Sequence, residues 1–134
     1  MKKAKLTIDG TEPIEGVGIG ASGVFAGELV FNTAMSGYSE ALTDPSYAGQ
    51  ILLFTFPLIG NYGISRKWFE SKKFQPKALI CGEISGYYSH FEASMGLEQF
   101  MQEQNVGGIA GVDTRFLVKL IRKLGTVHAA LIVD

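Results

Sequence analysis

The chain has 134 residues, 46% of them hydrophobic, which suits one domain with its own core and no need of disulfides or metal to hold it together. Its 12 basic and 13 acidic residues are mixed along the sequence and leave a formal net charge of -1, so no single-sign field exists to draw nucleic acid or anionic lipid. A single cysteine, Cys81, excludes an internal disulfide and fits a reducing compartment, so a cytoplasmic location is expected.

Met1-Lys2-Lys3 has the basic start of a signal peptide, but Asp9, Gly10, Glu12 and Pro13 precede any apolar run, and the amino terminus reads as mature protein. Lys5 to Ile8 and Ile14 to Ile19 read as strands around Asp9-Gly10, a turn pair suited to positive φ, so a hairpin is expected. Val24, Phe25, Val30 and Phe31 mark a third strand from Val24 to Asn32 that crosses the core. Ser36 or Gly37 is the expected cap of a short helix reaching Thr43, with Glu40 in its first turn, and Pro45 ends it by disfavouring helical geometry at Asp44.

Gln50 to Thr55 reads as a buried strand, its apolar run far short of the roughly 20 residues that span a bilayer. Pro57 to Gly63 is a glycine-bearing loop, and Ala78 to Ile84 a strand around Cys81. Leu97, Phe100 and Met101 fall at helical spacing, with Gly107-Gly108 expected to end that helix before a short strand at Ile109-Ala110. Asp113 caps the last helix, whose apolar stripe is Phe116, Leu117, Leu120, Ile121 and Leu124. Lys119, Arg122 and Lys123 enrich its end, Gly125 stops it, and Val127 to Val133 follows as a strand. Early strands followed by helices interleaved with strands favour a layered α/β domain. Ending just after a strand, the chain is expected to be one domain of a longer protein.

Few motifs survive comparison with their structural explanations. Gly18-Ile19-Gly20-Ala21-Ser22-Gly23 spells G-x-G-x-x-G, but a strand follows where dinucleotide binding needs a helix N-terminus, so it reads as a glycine-rich β connection. Cys81 paired with His90 or His128 would make a nucleophile and base, yet Ala78-Leu79-Ile80-Cys81 is a buried-strand pattern and the thiol is expected to be inert. Two histidines and one cysteine also fall short of a zinc site. Asp113-Thr114-Arg115 is explained by helix capping, and Lys119, Arg122 and Lys123 by a solvated helix end. The polar stretch from Asn32 to Tyr47 is different: Thr43, Asp44 and Ser46 crowd around Pro45, equally consistent with a hydrogen-bonded turn and with a functional loop.

Phe31-Asn32-Thr33, Met35, Gly37-Tyr38, Glu40 and Leu42-Thr43-Asp44-Pro45-Ser46-Tyr47, followed by Pro57, Ile59-Gly60-Asn61 and Gly63, resemble in order and spacing the N-terminal domain of the small, glutamine-hydrolysing subunit of carbamoyl phosphate synthetase. Gly111-Val112-Asp113-Thr114-Arg115, Leu117, Arg122 and Gly125 resemble that family's later signature, so the resemblance runs over nearly the whole chain. The family usually continues after Ser89 with Asn, an aromatic residue and Arg; here His90-Phe91-Glu92 stands instead, a reversal of charge expected to alter a surface or subunit contact.

The resemblance implies a three-layer β/β/α domain of the swivelling kind, with mixed sheets and two main helices. It implies that residues 1–134 sit ahead of a class I glutamine amidotransferase domain absent from this chain, and against the large synthetase subunit. The whole enzyme would take glutamine, bicarbonate and ATP to carbamoyl phosphate for pyrimidine and arginine synthesis, with ATP and Mg bound by the large subunit and no cofactor here. No catalytic residue is assigned to this chain, since Ile80-Cys81-Gly82-Glu83 lacks the Leu-Gly-His-Gln that follows the family's nucleophilic cysteine. The family places in this domain one serine that helps hold glutamine, and its position here is Ser46. Two other readings compete: a free-standing interaction module of the same fold, and a small hydrolase working through Cys81.

Overall fold

In the computed structural model, residues 2–33, 38–55, 73–82 and 99–134 are described. Alternation builds the first strand: Ala4, Leu6 and Ile8 are buried while Lys3, Lys5 and Thr7 face outward, which makes β1 (Lys3–Ile8) one-sided. Gly10, at φ 81°, turns the chain into β2 (Ile14–Gly20), which returns antiparallel with Leu6 opposite Ile14, so the expected hairpin forms. The third strand, β3 (Gly23–Asn32), pairs with two neighbours: antiparallel to the last strand, β7 (His128–Val133), and parallel to β4 (Gln50–Phe54). Two further parallel pairings join β4 to β5 (Ala78–Ile80) and β5 to β6 (Gly107–Ala110). Antiparallel ladders from β6 to β2 and from β7 to β1 complete the circuit.

The seven strands thus form a closed barrel in the order β1-β2-β6-β5-β4-β3-β7. The α/β class expected from the sequence stands, with a mostly β core, and the sheet arrangement is a mixed barrel. Parallel neighbours need crossovers. One of them carries α1 (Tyr38–Thr43), and the chain before β6 carries α2, described over residues 99–103. A third helix, α3 (Thr114–Leu124), lies between β6 and β7.

Every residue from Ile51 to Phe54, Ala78 to Ile80 and Gly107 to Ala110 is buried, the signature of strands covered on both faces. Leu6, Leu29, Ile51, Leu53, Ile80 and Leu131 belong to one apolar cluster, which Leu117 and Ile121 of α3 also enter. Leu52, Phe54, Leu79 and Cys81 belong to a second cluster with Leu42 of α1 and Phe100 and Met101 of α2. The Phe74 and Phe100 rings meet there at 5.6 Å between centroids.

Asp113 caps α3 by accepting the Phe116 N–H at 3.1 Å, and Gly125, at φ 80°, ends it, both as expected. Three expectations are corrected. Gly107-Gly108 does not terminate α2 but opens β6; the turn after the helix is made at Asn105, whose φ of 57° is the left-handed geometry that asparagine tolerates. The lack of a side chain at Gly108 serves packing, since a Cβ there would meet the Leu79 carbonyl oxygen at 2.8 Å. On α3 only Leu117 and Ile121 are buried; Phe116 and Leu124 stand 48% and 51% exposed, because the helix presents a narrow stripe to the barrel. The strand expected to reach Ile84 ends at Ile80, with Cys81 and Gly82 already outside it. The proposed Ser36 or Gly37 cap, Leu97, the Pro57 to Gly63 loop, Glu83 and Ile84 lie outside the described residues, as do His90, Phe91 and Glu92.

Candidate functional site

The polar stretch singled out in the sequence forms the crossover from β3 to β4. Ala41, Leu42 and Thr43 bury the end of α1, and the Gln75 N–H donates to the Leu42 carbonyl at 2.9 Å, so the helix end is anchored from outside. Asp44 then leaves helical geometry at φ -75° and ψ 120°, as a residue before proline should. A single 3-10 turn, Pro45–Tyr47, follows.

Asp44 holds that turn twice. Its carboxylate accepts the Ser46 N–H at 2.9 Å, and its carbonyl accepts the Tyr47 N–H at 3.0 Å. The Pro45 carbonyl accepts the Ala48 N–H at 3.1 Å, and Pro45 supplies the fixed φ at the first position of the turn. Gly49, at φ 79°, swings the chain into β4, where Gln50 Nε2 donates to Glu28 Oε1 at 3.3 Å across the parallel ladder. The turn lies close on β3: a Cβ on Gly27 would run into the Gly49 carbonyl oxygen.

Ser46 is exposed on this turn, with its backbone N–H committed to the Asp44 carboxylate. Tyr47 is more enclosed. Its ring is half-buried against the second apolar cluster, and its phenol oxygen accepts a hydrogen bond from Asn32 Nδ2 at 3.1 Å. The Asn32 carbonyl in turn accepts the Thr55 N–H at 3.1 Å and the Thr55 hydroxyl at 3.3 Å, tying together the ends of β3 and β4. Of the residues grouped in the sequence, Asn32, Asp44, Pro45, Ser46 and Tyr47 are therefore brought into one unit, while Gly37 falls outside the described residues. The Asn32–Tyr47 bond was missed, and so was the Gly27–Gly49 approach. Both couple positions 15 or more residues apart through a crossover whose path local turn chemistry does not specify.

The remaining candidates separate from this unit. Cys81 is fully buried and burial pushes its thiol from 9.0 up to about 12, which keeps it protonated and unreactive at neutral pH. The Gly18, Gly20 and Gly23 series joins β2 to β3 with no helix for a pyrophosphate to meet. Arg122 lies over the Phe31 ring at 5.5 Å, a cation–π contact, while Lys119 and Lys123 are exposed. Among the described residues no group of three or more His, Cys, Asp or Glu could hold a metal, and no helix is long and apolar enough to cross a membrane. A cavity of about 540 Å³ lies elsewhere, lined by Lys3, Lys5, Glu15, Ile132 and Asp134 among others, and Ser46 is not part of it. Lys3, Lys5 and Glu15 are exposed strand residues and Asp134 follows the last strand, so the charged lining has a structural explanation and the Asp44–Tyr47 turn remains the better candidate.

Comparison with known proteins bears on the chain as a whole. A family model described as "Carbamoyl-phosphate synthase small chain, CPSase domain" matches residues 6–131. The chain is 47% identical over 130 residues to the carbamoyl phosphate synthase small chain of Methanosarcina acetivorans, covering 97% of this chain and 35% of that protein. It is 45% identical over 140 residues to the "Multifunctional protein CAD" of Squalus acanthias, covering 98% of this chain and 6% of that one. Among solved structures, an aminopeptidase from Aneurinibacillus sp. strain AM-1 superposes with a TM-score of 0.53 at 20% identity, over 98% of this chain and 30% of that one, a likeness of fold alone.

Proposed function

Since the chain belongs to the carbamoyl-phosphate synthase small chain family, through that family's CPSase domain, we propose that it serves as the N-terminal domain of a glutamine-dependent carbamoyl phosphate synthetase. The match over residues 6–131 is the observation that carries this reading. The chain spans 35% of the length of its Methanosarcina acetivorans relative, so the domain would act beside a class I glutamine amidotransferase domain carried elsewhere and against a large synthetase subunit holding ATP and Mg. In that setting it has no catalytic residue of its own, works in the cytoplasm, and is inactive alone. Its parts are to frame the glutaminase site and to dock the large subunit.

Within that reading Ser46 contacts glutamine. A hydroxyl both donates and accepts, so it can meet either the α-carboxylate or the α-ammonium of an amino acid. Support comes from its setting: it is exposed, on a turn whose backbone is fixed by Pro45 and by two bonds to Asp44, so little ordering is left to pay for on binding. A hydrogen bond to a charged group contributes about 1.5 to 3 kcal/mol. In the intact two-subunit enzyme, Ser46→Ala should therefore raise the glutamine KM roughly ten- to a hundredfold while ammonia-dependent synthesis stays normal. Unchanged glutamine kinetics would refute the assignment.

The layered β/β/α arrangement of the swivelling kind is proposed on the same footing. β1, β2 and β7 would form one layer, β4, β5 and β6 the second, and α1 with α2 the third. Its support is the membership of neighbours along β4 in different apolar clusters, Leu53 in one and Leu52 in the other.

A further inference from the structure

The bonds that shape the Pro45–Tyr47 turn are all local. Asp44 to Ser46, Asp44 to Tyr47 and Pro45 to Ala48 span three residues or fewer, so they define the form of the turn and leave its place on the barrel to other contacts. Tyr47 supplies one that reaches far. Its ring packs against the second apolar cluster, and its phenol oxygen takes the hydrogen bond from Asn32 Nδ2, 15 residues earlier, at the very end of β3. Asn32 is itself held, because both the amide and the hydroxyl of Thr55, just past β4, donate to its carbonyl. The residue next to Ser46 is thus pinned to the point where the two parallel strands finish.

Ser46 and Tyr47 are adjacent in a turn with a proline-fixed backbone, so movement of the Tyr47 ring over the sheet would carry the Ser46 hydroxyl with it. We propose that Tyr47 and Asn32 are positioning residues for Ser46, the phenol–carboxamide bond setting where the serine hydroxyl meets the amino-acid substrate. Neither touches the substrate; both act through Ser46, so this inference rests on the assignment of Ser46 given above. Tyr47→Phe keeps the ring and its packing and deletes only the acceptor, which separates the bond from the fold.

The experiment is a mutant cycle in the reconstituted two-subunit enzyme, following glutamine-dependent and ammonia-dependent synthesis. Tyr47→Phe is expected to raise the glutamine KM about three- to tenfold, the range that one neutral hydrogen bond yields, with kcat and the ammonia-dependent rate within about twofold of wild type. Asn32→Ala should give the same split, and it decides the question if Tyr47→Phe proves unstable in thermal melting. In a Ser46→Ala background, Tyr47→Phe should have no further effect on the glutamine KM, a silence that a general loss of structure would not produce. An undiminished effect of Tyr47→Phe in that background, or none in wild type while Ser46→Ala is impaired, overturns the positioning role and spares Ser46. A Ser46→Ala enzyme with normal glutamine kinetics overturns both.

Discussion

Cys81 shows what burial does to a reactive side chain. Desolvation disfavours the thiolate, so the folded thiol titrates near 12 and the unfolded one near 9.0. The raised value means that the native state holds its proton more tightly. The thiol's contribution to stability is fully present below pH 9 and is lost as pH rises towards about 12, where the native thiol also ionises. Melting temperatures followed from pH 8 upward should therefore fall more steeply for the wild-type chain than for Cys81→Ala, after allowing for the offset of the cavity. A thiol-reactive probe should label Cys81 slowly at neutral pH; rapid labelling would contradict its burial. This residue was readable from sequence, since Ala78-Leu79-Ile80-Cys81 is apolar without alternation. Ser46 is proposed on resemblance alone, because an exposed serine after a proline looks in sequence like any turn residue; the structure adds only that its neighbours are tied down.

At the scale of elements, the crossover between β3 and β4 depends on a contact that involves no side chain. Gly27 lets the Gly49 carbonyl lie against β3, and the obstacle to a larger residue is rigid backbone rather than a side chain that could rotate away. Gly27→Ala should lower stability by about 1 to 3 kcal/mol, the usual effect of overpacking, and, if Ser46 holds glutamine as proposed, should raise the glutamine KM of the intact enzyme as the turn shifts. A denaturation midpoint and glutamine kinetics both at wild-type values would show that the close approach is dispensable. Helix α3 was legible almost to the residue from Asp113, its apolar spacing and Gly125, because cap and stop signals are local. The start of β6 was misread for the opposite reason: Gly107-Gly108 has the local signature of a helix stop, and only the close packing of Ile19, Leu79 and Met101 around Gly108 explains why glycine is needed inside a strand.

In the molecule as a whole, the two apolar clusters meet along the central strands, where neighbours alternate between them in β4, in β5 and at Ile109-Ala110 of β6. Leu52 and Leu53 are both fully buried, yet one belongs to the cluster beneath α1 and α2 and the other to the cluster shared with α3. Leu52→Ala and Leu53→Ala should each destabilise by about 2 to 5 kcal/mol in urea denaturation. A value below 1 kcal/mol for either would mean that its cluster is not a true core. The α/β class could be read from the order of strands and helices, but the pairing of β1 with β7, more than 120 residues apart, could not, since no local pattern names a strand's distant partner. That pairing has a further consequence. Among the described residues every strand is hydrogen-bonded on both sides, so this ring offers no free rim of amides and carbonyls to which a foreign strand could add. A partner meeting these seven strands would do so through side chains, helix faces and loops, and such contacts can be altered one residue at a time without unravelling the barrel.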